Sequence, residues 1–197
     1  MGQEDAIPLT PEVLVSAYAG GIFPMDVNGE ICWFSPDPRT IIPLDAFHAS
    51  RRLLRTCRSG RFEIRIDTEF ESVMRGCADR PEGTWISEEI VEAFVRLHEL
   101  GLAHSIEAWR GGTLAGGLYG VSLGGAFFGE SMFSRHRDAS KVALVTLVDR
   151  LRERGFTLFD VQFMTSHLAR FGAREIPRAE YLDQLESALQ LPVSFID

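Results

Sequence analysis

The 197-residue chain has few of the residues that build disulfide frameworks or metal sites. Its three cysteines, Cys32, Cys57 and Cys77, are widely spaced and form no Cys-x-x-Cys pair. This spacing favours reduced packing residues in the cytosol over disulfides or metal ligands. His98 and His104 flank a predicted turn without a third ligand at metal spacing, so we expect both to be structural.

Long apolar runs and targeting signals are also lacking. No stretch approaches the roughly 20 apolar residues that a membrane-spanning helix needs. The N-terminal sequence MGQEDAIPLT is acidic and has neither the basic nor the apolar region of a signal peptide. We therefore expect a cytosolic protein without a membrane partner.

The common nucleotide-binding motifs, Walker A and Gly-x-Gly-x-x-Gly, are absent from the chain. The segment 129–133 lacks the final glycine of the nucleophile elbow, which makes Ser131 a weak candidate nucleophile. Acidic residues also outnumber basic ones, 28 to 20, which gives a formal net charge of −8. That charge argues against a generic nucleic-acid binder.

Basic residues are nevertheless concentrated in one segment, residues 51–65, where Glu63 is the one acidic residue. The spacing of Arg51, Arg55 and Arg58 places them on one stripe of a predicted helix. Such a stripe is either a solvated helix face or a contact for a phosphate backbone, since affinity for RNA follows local charge.

The order of predicted elements indicates a mixed α/β sheet behind a small N-terminal unit. The segment 23–43 is rich in proline, aspartate and aromatic residues, which suits a small irregular N-terminal unit. We place the domain boundary near Arg39, with a small N-terminal domain at residues 1–38 and the main domain at residues 39–197. Helices are predicted at 11–19, 49–58, 69–78, from 88 to about 100, and at 139–154, 166–170 and 178–190. Strands are predicted at 62–67, 103–110, 114–121, 125–131 and 157–163.

Six glycines are spread through the apolar and aromatic segment 116–134. Glycine weakens strand pairing, so these positions indicate a bulge or a group lying against the backbone. Glu130 lies in the same segment, between Phe128 and Met132. Because glutamate is rarely buried alone, we expect either an arginine partner or a substrate ammonium beside it. The combination predicts a lined groove for a small ligand.

A second polar group follows at the end of the chain's last long strand. The two-residue period of a strand places Asp160 and Gln162 on one face and Phe159 and Val161 on the other. The pair is either a structural hydrogen-bonded pair or a polar pair aimed at a reacting group. Apolar side chains nearby are either core or the wall of a pocket: Trp85, Leu118, Phe127 and Met132.

Cations surround the start of the helix that Asp138 is predicted to cap. Arg135, Arg137 and Lys141 lie there, although a lysine in the first turn opposes the helix dipole. These cations either pair with Asp138 and other acids of the helix or bind a phosphate at the helix start.

The chain contains seven short motifs in series: GIFPM, WFSPDPR, GTWI, LHELGLAHSIEAW, GESMFS, ASK and LFDVQ. They occur in the order found in one enzyme family, the leucyl/phenylalanyl-tRNA–protein transferases, which the chain resembles from about residue 14 to residue 181. The resemblance implies a main domain like the GNAT acetyltransferase fold. The acetyl-CoA loop of that fold is missing before Asp138, so we expect neither that donor nor any other cofactor or metal.

The resemblance further implies that aminoacyl-tRNA donates leucine or phenylalanine to the α-amino group of proteins beginning with lysine or arginine, which marks them for degradation. We expect a monomer. It also implies a substrate site that contains Trp85, Glu130, Asp160 and Gln162. The predicted residues of the pocket wall are Leu118, Phe127, Met132 and Trp85. The predicted tRNA contacts are Arg51, Arg52, Arg55, Arg58, Arg135 and Lys141.

For this reaction we hypothesise that Asp160 accepts the proton of the attacking amine and that Gln162 fixes its nitrogen. Glu130 then holds either the donor's ammonium or the acceptor's basic side chain. Two other functions are compatible with the sequence. One is a hydrolase that uses Ser131 with a histidine, His136 or His167, and the other is a non-catalytic adaptor for basic N-termini.

Overall fold

The computed structural model describes residues 7–196. Helix α1 (Pro11–Ala19) comes first, and Thr10 caps it because its side-chain oxygen accepts a hydrogen bond from the backbone N–H of Val13 at 3.3 Å. The chain leaves the helix through Gly21, whose φ is 73°. Both ends of this helix agree with the prediction.

A two-stranded antiparallel hairpin follows, formed by β1 (Phe23–Val27) and β2 (Glu30–Phe34). Its tight turn depends on Asn28 and Gly29, which both adopt a positive φ, 58° and 88°. Those values are typical of hairpin turns, which asparagine and glycine adopt most readily. The prediction of an irregular segment here was wrong, because proline, aspartate and aromatic residues obscure the strand pattern.

Seven strands form the main sheet, in the order β4-β5-β6-β7-β8-β3-β9. Strands β7 and β8 pair in parallel, across the crossover helix α5 (Ala139–Arg154), and the other neighbours are antiparallel. The predicted mixed sheet is therefore confirmed. The strands are β3 (Arg39–Ile41), β4 (Glu63–Ile66), β5 (Ala103–Arg110), β6 (Thr113–Leu123), β7 (Ala126–Ser134), β8 (Leu158–Gln162) and β9 (Arg174–Ile176).

Helices cover both faces of the sheet and enclose two cores. On one face α1 packs with α3 (Phe70–Ala78), α4 (Glu88–Glu99) and α7 (Arg178–Leu189). On the other face α5 packs with α2 (Arg51–Arg58). A short helix, α6 (Ser166–Ala169), follows β8. Among the described helices, none has both the length and the apolar composition that crossing a lipid bilayer requires.

The chain changes sheets between the hairpin and β3. The hairpin is a sheet of its own, whereas β3 pairs with β8 and β9 inside the main sheet. We propose on this basis that the small N-terminal domain comprises residues 1–38 and the main domain residues 39–197.

Candidate functional site

A cavity of about 410 Å³ opens where two parallel strands separate. Strands β7 and β8 are paired only from Ala126↔Leu158 to Phe128↔Asp160. The residues that follow on both strands line this central cavity: Gly129, Glu130, Ser131, Met132, Val161, Gln162 and Phe163.

Local backbone features on both strands account for the separation. Strand β7 carries a bulge where its partner strand passes from Tyr119 to Gly120. Strand β8 ends because Gln162 adopts a φ of 60°, and the N–H of Phe163 then bonds to the carbonyl of Val161 at 2.7 Å. A side chain at Gly120 would lie 2.2 Å from a backbone oxygen, so glycine is required at the bulge.

The cavity has an apolar half and a polar half because it reaches both faces of the sheet. The apolar half faces α5 and is lined by Leu118, Met132, Leu144, Leu147, Phe159, Val161 and Leu168. The polar half faces the hairpin and α3, and it is lined by Phe23, Met25, Arg80, Trp85, Tyr119, Glu130, Ser131 and Gln162. An apolar cavity with a few convergent polar groups is how small-ligand sites are built.

Glu130 is an ionisable group of the polar half whose surroundings raise its pKa into the neutral range. Its Oε1 accepts hydrogen bonds from Tyr18 Oη at 2.8 Å and from Gln162 Nε2 at 3.0 Å. Its Oε2 has no hydrogen-bond partner among residues 7–196. Burial raises the pKa of Glu130 to about 8, and the charge of Asp160 adds to the rise. Glu130 is therefore a carboxyl group that can gain and lose a proton near neutral pH.

Asp160 lies behind the cavity wall, fully buried, with both carboxylate oxygens occupied. Arg39 donates to Oδ1 from Nε at 2.9 Å and to Oδ2 from Nη2 at 2.6 Å. Tyr181 Oη donates to Oδ2 at 2.8 Å, and the backbone N–H of Gln162 donates to Oδ1 at 2.9 Å. The carboxylate of Asp160 does not line the cavity, so this geometry does not favour the role that we expected for it as the proton acceptor.

Arg39 connects the N-terminal unit to this carboxylate. Its guanidinium lies between the rings of Phe23 and Tyr181, 4.8 and 4.5 Å from their centroids, and donates to the carbonyl of Gly21 at 2.9 Å. Sequence reasoning missed Arg39, Tyr18 and Tyr181. The one feature of the sequence that could have pointed to Arg39 is its place as the last residue of the motif WFSPDPR.

Three of the four predicted wall residues line the cavity, namely Trp85, Leu118 and Met132. The fourth, Phe127, is not among the lining residues. Phe127 lies in the paired part of β7, before the strands separate, and its ring packs against Phe159 and Phe195 in the core. Sequence reasoning missed Phe159 and Val161, because it assigned them to the face away from the site.

The basic residues lie in two groups. Arg52, Arg55, Arg61 and Arg137 line a surface recess together with Asp138, and Arg51 and Arg58 are exposed on the same helix, α2. The second group, Arg80 and Arg135, lines a cleft that shares Arg80 with the mouth of the central cavity.

Asp138 occupies the N-cap position of α5 as predicted, but its side chain makes no capping hydrogen bond and pairs with the nearby cations instead. Arg52 donates to its two oxygens at 2.6 and 3.0 Å, and Lys141 lies 3.4 Å away. Hydrogen bonding and charge from Arg52 lower the pKa of Asp138 to about 2. The charges of Arg52 and Lys141 are thus partly neutralised within the protein, whereas Arg55 has no carboxylate partner among the residues described.

Fold and cavity together describe a mixed α/β protein in which an apolar space adjoins a titratable carboxyl group. Two family models match the chain: leucyl/phenylalanyl-tRNA protein transferase over residues 41–186, and the N-terminal domain of the same family over residues 8–37. Leucyl/phenylalanyl-tRNA–protein transferases from Herpetosiphon aurantiacus and Paramagnetospirillum magneticum are 59% and 60% identical. The alignments cover 95% and 92% of this chain and 98% and 90% of those proteins.

The chain therefore belongs to the leucyl/phenylalanyl-tRNA–protein transferase family and is a transferase. Among solved structures it is similar to a ribosomal-protein-alanine N-acetyltransferase from Brucella melitensis biovar Abortus 2308. That likeness has a TM-score of 0.37 at 18% identity and covers 50% of this chain and 78% of the other.

Proposed function

We propose that the protein moves leucine or phenylalanine from aminoacyl-tRNA to the α-amino group of proteins that begin with lysine or arginine. The modified proteins are thereby marked for degradation, and the enzyme acts in the cytoplasm as a monomer without a cofactor. The observation that carries the proposal is the central cavity, whose apolar half adjoins a carboxyl group with a pKa of about 8.

The apolar half is proposed to hold the side chain of the donated amino acid. Leu118, Met132 and Phe159 come from three neighbouring strands and leave an apolar space between them. Burying a leucine or phenylalanine side chain stabilises the complex by about 1.5–3 kcal/mol. A polar donor side chain would lose its hydration there, which explains a preference for apolar donors.

Glu130, and not Asp160, is proposed as the proton acceptor. The attacking amine forms a bond to the ester carbonyl carbon, and the bond from that carbon to the ribose oxygen breaks. One proton leaves the amine nitrogen for the carboxylate of Glu130 and then reaches the ribose oxygen, so that the products are an amide and a hydroxyl. An α-amino group has a pKa of about 7.7–8.0, close to that of Glu130, and matched values favour such transfers.

Gln162 and Asp160 are proposed to hold the carboxyl group of Glu130 in place. Asp160 fixes the backbone N–H of Gln162, whose side chain then reaches Glu130 Oε1. Glu130 Oε2 has no hydrogen-bond partner among residues 7–196, and it is proposed to receive the amine. Gln162 also presents its amide oxygen, which can accept a hydrogen bond from the attacking nitrogen.

The exposed arginines are proposed to bind the tRNA, with Arg51, Arg55 and Arg58 on α2 as backbone contacts. Arg135 and Arg80, at the cleft beside the cavity mouth, lie where the 3′ end must enter. Arg52 and Lys141 contribute less, because Asp138 already pairs with both.

Incubation with tRNA carrying radiolabelled leucine and a peptide that begins with arginine tests the proposal. We expect the label to reach the peptide, and to fail to do so when the α-amino group is acetylated. Release of free leucine alone would indicate a hydrolase, and binding of the peptide without turnover an adaptor. The structure gives the hydrolase no support: Ser131 Oγ accepts a hydrogen bond from Arg80 at 3.0 Å, and it bonds to no histidine among residues 7–196.

A further inference from the structure

Four buried side-chain atoms have no hydrogen-bond partner within residues 7–196: Thr40 Oγ1, Ser87 Oγ, Tyr119 Oη and His167 Nε2. A buried hydroxyl without a partner costs about 1–3 kcal/mol, so each such group calls for a reason. Two of these four residues line the central cavity, Tyr119 from β6 and His167 from α6, and Tyr119 is the one in the polar half that contains Glu130. We infer that Tyr119 is a catalytic residue whose hydroxyl donates a hydrogen bond to the oxygen of the reacting ester carbonyl.

The ring of Tyr119 is held in one position. It lies on β6, between β5 and β7, with Ser105 and Ser131 as its register partners. Phe70 and Phe94 both meet it edge to face, with ring centroids 5.9 Å away. The ring therefore holds the hydroxyl oxygen in place, so that little reorganisation is needed when negative charge develops on a bound substrate.

The hydroxyl also keeps its proton at neutral pH. Burial raises the pKa of Tyr119 well above its usual value, and the charge of Glu130 raises it further. Tyr119 therefore acts as a hydrogen-bond donor and not as a base, which is the property that an oxyanion requires.

Several other donors of the polar half already have partners. Gln162 Nε2 and Tyr18 Oη both donate to Glu130 Oε1. Arg80 Nη2 donates to Ser131 Oγ and to the carbonyl of Met132. The hydroxyl of Tyr119 is thus a donor left free in the polar half of the described structure.

The inference rests on the proposed function and completes its chemical step. As the amine nitrogen bonds to the carbonyl carbon, one electron pair of the C=O bond moves to the oxygen. Tyr119 Oη–H donates to that oxygen without losing its proton. The C=O bond then re-forms as the bond to the ribose oxygen breaks, and the amine proton reaches that oxygen through Glu130.

The variant Tyr119→Phe tests this role, with Ser87→Ala as a matched control that removes a partnerless hydroxyl outside the cavity. We expect Tyr119→Phe to lower kcat by about 10²–10³-fold, as loss of one oxyanion donor does elsewhere. Its Tm should equal or exceed that of the wild type, because the removed hydroxyl has no partner in the free protein. Ser87→Ala should leave kcat unchanged.

Two adenosine derivatives separate catalysis from binding. In the first an amide replaces the ester, and Tyr119→Phe should bind it as tightly as the wild type does. In the second a tetrahedral phosphonate replaces the carbonyl, and its affinity should fall by the same factor as kcat/KM. Unchanged kcat, or equal losses with both derivatives, would overturn the role of Tyr119 while the proposed function stands. A wild type that neither transfers leucine nor binds either derivative would overturn both.

Discussion

Gln162 and Glu130 lie on strands that have separated, yet a hydrogen bond of 3.0 Å between Gln162 Nε2 and Glu130 Oε1 joins them across the cavity wall. The same oxygen accepts from Tyr18 at 2.8 Å, so one side of the carboxyl group is fully engaged. The other oxygen has no hydrogen-bond partner among residues 7–196. In the proposed function, this asymmetry leaves one oxygen of a partly buried acid available to the amine that must lose its proton.

Replacing Glu130 with glutamine should lower kcat/KM by about 10²–10⁴-fold, the range in which a positioned base contributes. In the wild type both Glu130 and the acceptor amine must be deprotonated, so below pH 7 log(kcat/KM) should rise with pH at a slope near two. In Glu130→Gln only the amine titrates, and the slope should be near one. Steady-state rates measured between pH 5.5 and pH 9 check both slopes.

The control for this change is Glu92→Gln on the exposed surface of α4, which should leave the profile unchanged. Stability gives a second check. The folded pKa of Glu130, about 8, lies above its ordinary value of 4.5, so ionisation of this group removes stability as pH rises from 4.5 to 8. Glu130→Gln should flatten that decline. A wild-type slope retained in the variant would exclude Glu130 as the base.

The Arg39–Asp160 pair should dominate the stability of the site. Asp160→Asn or Arg39→Met leaves one buried charge without its partner, which costs about 3–5 kcal/mol. In urea unfolding, the double variant should lose much less stability than the sum of the two single losses. Additive losses would show that the two charges are not coupled.

Activity in these variants distinguishes positioning from proton transfer. Asp160 acts on the reaction only through Gln162 and Glu130, so Asp160→Asn should lower kcat but keep a slope near two in the pH profile. If Glu130→Gln keeps the wild-type kcat/KM while Asp160→Asn lowers it by orders of magnitude, Asp160 is restored as the proton acceptor.

The strands and helices around the site could be predicted from the sequence because their side-chain periods are regular. The bounds of β5 and α5 agree with their predictions. The two-residue period of β8 was also correct. This period predicted which side chains lie on each face of the strand. It did not predict that β7 and β8 separate, and this separation lets residues of both faces line one cavity. Asp160 was therefore assigned to the site and Phe159 to the core.

Other features depend on contacts between residues far apart in the chain. Arg39 and Asp160 are 121 positions apart, and Tyr18 and Glu130 are 112 apart. A single sequence gives no spacing rule for such pairs. The positive φ of Gln162 is equally hidden, because glutamine has no preference for that conformation.

The size of Leu118 should set which donor is preferred. Leu118→Phe fills part of the apolar half, so kcat/KM should fall more for phenylalanyl donors than for leucyl donors. A difference of about 10–200-fold is what a few methylene groups provide. Phe127→Leu is the matched control, because Phe127 lies in the core outside the cavity. It should lower stability without changing the ratio of the two donors, and a changed ratio would return Phe127 to the pocket wall.

The arginines of α2 should affect tRNA binding and leave the chemical step unchanged. Replacing Arg51, Arg55 and Arg58 by glutamine removes up to three cations that can bind phosphate. A plot of the logarithm of the tRNA association constant against log[salt] should therefore become shallower, by about 0.7–0.9 in slope for each phosphate no longer neutralised. Turnover of aminoacyl-adenosine, which has no tRNA body, should stay at the wild-type level. Arg96→Gln on α4, across the sheet from α2, is the control and should leave the slope unchanged. If the triple variant keeps the wild-type slope, the stripe is a solvated helix face, and Arg80 and Arg135 at the cavity mouth remain as the proposed tRNA contacts.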